Sequence, residues 1–249
     1  MADHKKGADI VRKGQSPAKP ETSSNADISR FLSDLARIPP RPGGGAGSGR
    51  LIFAMDATAS REPTWDRACH LQAEMFEATS DLGGLAVQLV FYRGFRECKA
   101  SPWLTDTKAL QKRMTGVGCL AGHTQIGRVL AHAAKETKKK TVNALIFVGD
   151  MCEEDIDALG HRAGELGILG VPAFIFHEGR DPIAARVFRH VAKLTGGAYC
   201  PFDSSSAQQL KDLLGAVAVF AAGGRRALAD YGKTRRDAVL AITSQLGSE

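Results

Sequence analysis

The sequence LIFAMDATAS, from Leu51 to Ser60, joins a buried strand to a set of candidate ligands. Every residue from Leu51 to Met55 is apolar, and this absence of polar alternation predicts a strand covered on both faces of a parallel sheet. Asp56, Thr58 and Ser60 follow, and their side chains all offer oxygen. Because ligands bind at the carboxyl edge of open α/β sheets, these residues are candidates for holding a hard cation such as Mg²⁺. Asp and Ser are also common turn and helix-cap residues, so a purely local role stays open.

The remainder of the chain continues with short apolar runs that alternate with amphipathic segments. This alternation predicts an α/β fold: a doubly wound, Rossmann-like, mostly parallel six-stranded sheet with one short antiparallel edge strand and helices on both faces. The strands are predicted at 51–55, 85–92, 143–148, 171–177 and 198–202, with the short edge strand within 93–103. The helices are predicted at 63–82, 106–114, 125–139, 154–167, 182–194 and 205–222.

The sheet domain is expected to span residues 50–222, with an extension on each side. Residues 1–25 have few apolar side chains to bury and are predicted to be disordered. Residues 26–49 are predicted to form a short helix and a Pro/Gly linker, and residues 223–249 a helical extension that begins at a two-glycine break. Because so short a helix is marginal alone, its apolar face is expected to dock on this domain or on a partner. That face comprises Ile28, Phe31, Leu32, Leu35 and Ile38.

The composition, with 43% apolar and 24% charged residues, is typical of a globular protein. No run of residues has the length and apolarity of a membrane span, and the N-terminus lacks the apolar core of a signal peptide. We therefore expect a cytoplasmic location and no membrane partner. The five cysteines are dispersed and form no C-x-x-C pair, which favours reduced thiols over a disulfide framework or a zinc cluster.

The net charge of +6 is concentrated near the two ends of the chain. Residues 1–50 contain nine Lys and Arg against five Asp and Glu, and residues 224–249 contain five against three. The middle of the chain is therefore neutral, whereas a folded nucleic-acid reader carries its basic residues on the domain. The charge of the basic tails leaves nonspecific nucleic-acid binding open as an alternative hypothesis.

Two further oxygen donors occupy positions that match the first three. Thr124 ends the Gly-rich segment GVGCLAGHT at 116–124, and Asp150 lies just beyond the strand predicted at 143–148. Since the carboxyl ends of neighbouring parallel strands share one edge, donors that are distant in sequence can converge there. The candidate site comprises Asp56, Thr58, Ser60, Thr124 and Asp150.

The three segments Asp56-Ala57-Thr58-Ala59-Ser60, Gly122-His123-Thr124 and Gly149-Asp150 together resemble the von Willebrand factor A (VWA) domain with its metal-ion-dependent adhesion site (MIDAS), in its bacterial-type intracellular form. The resemblance covers about residues 50–222. It implies that Thr58 and Ser60 bind the metal directly, that Thr124 binds directly or through water, and that Asp56 and Asp150 act mainly through water. It also implies Mg²⁺ as the metal, with Mn²⁺ or Ca²⁺ as alternatives.

The resemblance implies a divalent-metal-dependent protein–protein interaction module that is not an enzyme. A site with few direct carboxylates leaves the cation short of negative charge, so the metal is expected to take a Glu or Asp from a partner protein. An ATPase, a chaperone or a stress-response complex is the expected kind of partner. The alternative function is a Mg²⁺-dependent phosphohydrolase with Asp56 as nucleophile, although such enzymes need a second Asp where this chain has Thr58.

The chain departs from the family pattern at three places. Thr58 replaces the usual Ser and keeps the hydroxyl. His123 replaces a Gly, and it is either a solvated loop residue or a pH-sensitive side chain in the ligand approach. Glu153 and Glu154 follow Asp150 closely; they are expected to begin the next helix, where acidic residues suit the helix dipole, or else to add negative charge near the metal.

Overall fold

A computed structural model describes residues 25–39, 49–65, 84–202 and 207–246 of the chain. The tail predicted to be disordered, most of the linker and most of the helix predicted at 63–82 lie outside these residues. Residues 62–65 are helical, which agrees with the predicted start of that helix.

The sheet has six strands in the order β3-β2-β1-β4-β5-β6, and β1 lies near its centre. All pairings are parallel except β2 with β3, which is antiparallel. This arrangement confirms the predicted fold class, including the short antiparallel edge strand. The strands are β1 Gly49–Asp56, β2 Leu85–Arg93, β3 Glu97–Ala100, β4 Ala144–Gly149, β5 Ala173–Glu178 and β6 Ala198–Phe202.

Helices cover both faces of this sheet. They are α1 Asn25–Arg37, α2 Thr107–Thr115, α3 Ile126–Lys139, α4 Ile156–Ile168, α5 Pro182–Thr195 and α6 Ala207–Leu246, with a 3-10 turn at Ala59–Arg61. Helices α1, α2 and α6 share one apolar core with the sheet, and α3, α4 and α5 share the other. Helix α6 breaks at Gly224, whose φ of 66° lies in the left-handed region. None of the described helices combines the length and apolarity needed to cross a bilayer.

The position of β1 between two apolar cores explains why its sequence is apolar at consecutive positions. Its side chains alternate between the two cores: Leu51, Phe53 and Met55 pack on the α1 side, whereas Ile52 and Ala54 pack on the α3 side. Each face of the strand must therefore be apolar, as expected for a central parallel strand. The strand ends at Asp56, which brings this carboxylate to the carboxyl edge of the sheet.

Helix α1 packs on this domain, one of the two partners expected for it. Phe31 and Leu35 are fully buried, and the Phe31 ring centroid lies 5.8 Å from that of Phe174 and 5.3 Å from that of Phe176. The prediction that Leu32 belongs to the buried face is wrong, because this side chain remains 40% exposed. The buried stripe is narrower than the sequence pattern suggested, since Leu32 is turned by about 100° from Phe31 around the helix axis.

Replacement of Phe31 by Ala is expected to lower the free energy of unfolding by about 3–5 kcal/mol, because it leaves a cavity between α1 and β5. Leu32→Ala, one residue away on the same helix, is the matched control and is expected to change stability by about 0.5 kcal/mol or less. Urea denaturation followed by circular dichroism measures both. Equal effects of the two variants would contradict the observed packing of α1.

Candidate metal centre

The Asp56 carboxylate is fixed by two hydrogen bonds at the end of β1. Its Oδ1 accepts the backbone N–H of Thr58 at 2.7 Å, and its Oδ2 accepts the Tyr92 hydroxyl at 2.9 Å. Tyr92 is fully buried in β2 and is the register partner of Asp56. The sequence analysis did not identify Tyr92, although its place at the end of the second predicted strand would have put it beside Asp56.

This carboxylate lies in surroundings that disfavour its charge. Burial raises the pKa of Asp56; the hydrogen bonds from Thr58 and Tyr92 partly offset the shift, and the nearby charge of Asp150 adds to it. Burial also raises the pKa of Tyr92 well above its ordinary value, so the phenol keeps its proton and remains a donor. A cation beside Asp56 would offset the unfavourable negative charges of Asp56 and Asp150.

Thr58 and Ser60 present two hydroxyls next to this carboxylate. Thr58 Oγ1 and Ser60 Oγ are 3.1 Å apart, and the 3-10 turn that follows is closed by the Arg61 N–H donating to the Thr58 carbonyl at 3.0 Å. Thr58 is buried and Ser60 is exposed, so the pair connects the interior carboxylate with the surface. The structure thus brings Asp56, Thr58 and Ser60 into one contiguous cluster.

Asp150 reaches the same edge from the neighbouring strand. It follows β4, which pairs with β1 so that Met55 lies opposite Val148. The Asp150 Oδ1 atom is buried and accepts no hydrogen bond from the described residues. Buried carboxylate oxygens rarely remain without a partner, so this one fits the water shell of a bound cation.

Two hydrogen bonds hold Thr124 against the neighbouring loop, which carries Asp150. Its hydroxyl accepts the N–H of Glu153 at 3.0 Å, and its own N–H donates to the Glu153 carboxylate at 3.2 Å. The Gly-rich loop before it also contacts the first cluster, since the Leu120 N–H donates to the Ala57 carbonyl at 3.1 Å. Thr124 and Asp150 therefore lie on two loops that adjoin the cluster of Asp56, Thr58 and Ser60.

Close backbone contact explains the glycines of this loop. A side chain at Gly122 would place its Cβ only 2.0 Å from the carbonyl oxygen of Gly94, in the turn between β2 and β3. Gly94 itself has a φ of 58°, in the left-handed region. The His123 N–H then donates to the Gly94 carbonyl at 3.2 Å, which fixes the backbone just before Thr124.

The expectation that Glu153 and Glu154 begin the next helix is wrong. Helix α4 begins at Ile156, and Asp155 caps it by accepting the Ala158 N–H at 2.8 Å. Glu154 instead caps the preceding helix α3 by accepting the backbone N–H groups of its first two residues. This happens because Gln125, the N-cap residue of α3, supplies no side-chain cap, which leaves the amides of that helix free for Glu154.

His123 is exposed but not simply solvated. Its Nδ1 lies 3.0 Å from the Glu153 carboxylate, and its ring meets the Phe95 ring edge-on at a centroid distance of 5.2 Å. The Glu153 carboxylate is therefore bound by both His123 and the Thr124 N–H.

A buried arginine lies beside the two acids, and the sequence analysis did not identify it. Arg61 is fully buried and forms an ion pair with Glu178 at the end of β5. Burial lowers the pKa of Arg61, while the charges of Asp150 and Asp56 favour its protonated form. Since an arginine keeps its proton in proteins, a permanent positive charge is present near the candidate site.

A buried histidine supports the backbone of Asp150. A carbonyl oxygen can only accept, so His177 Nε2 donates to the Asp150 carbonyl at 3.2 Å, and its Nδ1 accepts the Tyr199 hydroxyl at 2.9 Å. Burial lowers the pKa of His177 and so favours the neutral imidazole, and the two hydrogen bonds select its tautomer. His177 thus positions the residue whose carboxylate faces the site.

The donor set fits a hard cation. The described residues contain no cluster of three or more His, Cys, Asp or Glu side chains that could hold a metal ion. The five candidates instead combine three hydroxyls with two carboxylates, which suits Mg²⁺ and other oxygen-loving ions. The described cysteines, Cys98, Cys119, Cys152 and Cys200, are free, and burial raises the pKa of each thiol.

The fold is similar to that of several solved structures. The SpRpn10 VWA domain matches at 14% identity with a TM-score of 0.56, over 67% of this chain and 94% of that one. Proximal thread matrix protein 1 from the mussel byssus, with a zinc-occupied MIDAS motif, matches at 14% identity and 0.55, over 70% and 46%. The pilus adhesin SpaC from Lactobacillus rhamnosus GG, in its open conformation, matches at 10% identity with a TM-score of 0.54, over 74% of this chain and 30% of that one.

The chain thus spans nearly all of the first structure and less than half of the other two. A scan against protein-family models found no match, and a search of curated proteins found none either. Identities this low establish a shared architecture. Together with the strand order and the position of β1, they show that the chain has the fold of a von Willebrand factor A domain.

Proposed function

We propose that this chain is a protein–protein interaction module that binds an acidic residue of its partner through a divalent metal. The observation that carries the proposal is the buried Asp150 Oδ1, which accepts no hydrogen bond from the described part of the chain and lies beside the cluster of Asp56, Thr58 and Ser60. Thr58 and Ser60 would bind the metal through their hydroxyls, Thr124 directly or through water, and Asp56 and Asp150 mainly through water. The metal would supply a positive centre with an exchangeable water for the partner's carboxylate.

Mg²⁺ is the proposed metal, with Mn²⁺ or Ca²⁺ as alternatives. The hydroxyl and carboxylate donors support this choice, and the zinc-occupied MIDAS motif of the mussel protein supports a divalent metal in such a fold. A cytoplasmic location, a bacterial-type intracellular role and a partner among ATPases, chaperones or stress-response complexes belong to the same proposal.

The geometry of Asp56 argues against the phosphohydrolase alternative. A nucleophilic carboxylate must reach the phosphorus of its substrate, but Asp56 is fully buried and both of its oxygens accept hydrogen bonds. Residue 58, where those enzymes have a general acid, is a threonine. Both observations favour a metal-bridged interaction over hydrolysis.

Isothermal titration with Mg²⁺ and Mn²⁺ tests the proposal on wild type and Thr58→Val. The substitution removes one hydroxyl and keeps the shape, so the metal affinity is expected to fall by about 10-fold to 100-fold. Thr115→Val is the matched control, since the hydroxyl of this exposed threonine donates to carbonyls of its own helix α2. Equal metal affinity of wild type and Thr58→Val, or no metal binding by wild type, would contradict the proposal.

A further inference from the structure

Exposed apolar side chains border the candidate metal site on three loops. Phe95 is 72% exposed in the β2–β3 turn, Leu120 is 52% exposed in the Gly-rich loop, and Met151 is 45% exposed directly after Asp150. We call these three residues, together with His123, the apolar rim. Large apolar side chains that are exposed singly are ordinary, but a group of them around a polar site is typical of a binding surface.

The rim is held together by contacts between the loops. Leu120 packs over Gly94, since a Cβ at Gly94 would lie 3.2 Å from the Leu120 Cδ2 atom. The rings of Phe95 and His123 are in contact, and His123 bonds to Glu153 on the loop of Met151. The same loops carry Thr124 and Asp150, so a ligand bound to the metal would also contact the apolar rim.

The charges beside the rim are complementary to an acidic ligand. Arg96 is exposed next to Phe95, and Arg128 approaches it at the start of α3. Arg128 donates to the Arg96 carbonyl at 2.5 Å and to the Gln125 side-chain oxygen at 2.7 Å, and both of these acceptors are neutral. Glu153, by contrast, is engaged by His123 and by the Thr124 N–H.

We propose that the apolar rim receives apolar side chains on either side of the partner's metal-binding carboxylate. The occupant is an extended segment of a partner protein in which an Asp or Glu is flanked by aromatic or aliphatic residues. This inference rests on the proposed function and adds to it the sequence class of the partner. The metal fixes the carboxylate, the rim buries its apolar neighbours, and Arg96 and Arg128 favour a segment of negative charge.

A displayed library of random peptides around a fixed Asp or Glu tests the inference, with selections in Mg²⁺ and in chelator. Wild type is expected to enrich peptides with apolar residues next to the acid, and only in Mg²⁺. The double variant Phe95→Ser/Leu120→Ser is expected to bind those peptides about tenfold more weakly while its Mg²⁺ affinity stays unchanged. Ile168→Ser is the matched control: Ile168 is 90% exposed at the end of α4, at the opposite edge of the sheet.

The outcomes separate the inference from the function on which it rests. Peptides that need Mg²⁺ but lack apolar neighbours, or that bind the double variant as tightly as wild type, overturn the inference alone. Peptides that bind equally well in chelator, or to Thr58→Val, overturn both. Failure to select any peptide also overturns the inference, and the metal titrations then decide the proposed function by themselves.

Discussion

Asp56→Asn is expected to weaken metal binding strongly and, in the absence of metal, to leave the melting temperature unchanged or raised. In the proposed site the Asp56 carboxylate holds water around the cation and fixes the Thr58 loop, so its loss is expected to weaken metal binding about 100-fold. Without metal, however, the negative charge of Asp56 lowers the stability of the fold, because burial disfavours the charged form and raises the pKa of this carboxyl. Metal binding and stability are therefore expected to oppose each other at this residue.

Proton linkage gives the direction of the stability change expected for metal-free Asp56→Asn. A carboxyl whose pKa is raised in the folded state binds its proton more tightly there than in the unfolded chain. Its contribution to stability is thus fully present below the ordinary value of 3.8 and is lost as the pH rises through the raised value. The metal-free wild type loses this contribution as the pH rises, whereas the amide side chain of the Asp56→Asn variant carries no charge at any pH.

Thermal melts in chelator and in Mg²⁺ at pH 7 measure both effects. Wild type is expected to gain stability from Mg²⁺, and Asp56→Asn to gain much less at the same Mg²⁺ concentration. Asp157→Asn is the matched control, since Asp157 is exposed on α4. A variant that melts well below wild type in chelator would mean that the Asp56 charge stabilises the fold, contrary to the pKa argument.

The sequence predicted the sheet well because its strands are defined by burial. In β1, β4 and β5 both faces meet helices, which leaves continuous apolar runs that differ clearly from the amphipathic helices between them. The last strand, Ala198–Phe202, matches its predicted bounds at both ends. The predicted site residues also occur at strand ends and adjoining loops of one edge, since parallel topology alone requires this for residues that follow β1 and β4.

The groups around those site residues were harder to predict because they depend on contacts between distant segments. Glu154 caps α3 from a loop 27 residues further on, and the run of acids from Glu153 to Asp155 does not indicate which helix each one serves. Arg61 follows the motif directly, yet its ion-pair partner, Glu178, lies far along the chain at the end of β5. Likewise, Leu32 fits the helical pattern of α1 and still remains exposed, because the sheet covers only a narrow stripe.

Arg61→Met is expected to destabilise the metal-free fold and to strengthen metal binding. Removal of one member of a buried ion pair costs about 3–5 kcal/mol, because Glu178 is left without its partner. The same change removes a positive charge that acts on Asp150 and Asp56. The potential at the site becomes more negative, and the Mg²⁺ affinity is expected to rise about tenfold, a modest fraction of the interaction between charges this close.

Glu178→Gln is the comparison that separates this electrostatic effect from simple loosening of the fold. It also breaks the ion pair and is expected to destabilise the fold, but it leaves the Arg61 charge uncompensated, so the metal should bind more weakly than to wild type. Urea denaturation in chelator measures the first effect, and isothermal titration with Mn²⁺ measures the second. A structural role alone would change the metal affinity in the same direction in both variants. Opposite changes would identify the Arg61–Glu178 pair as the group that sets how strongly this edge of the sheet attracts a cation, whereas equal changes would exclude that role.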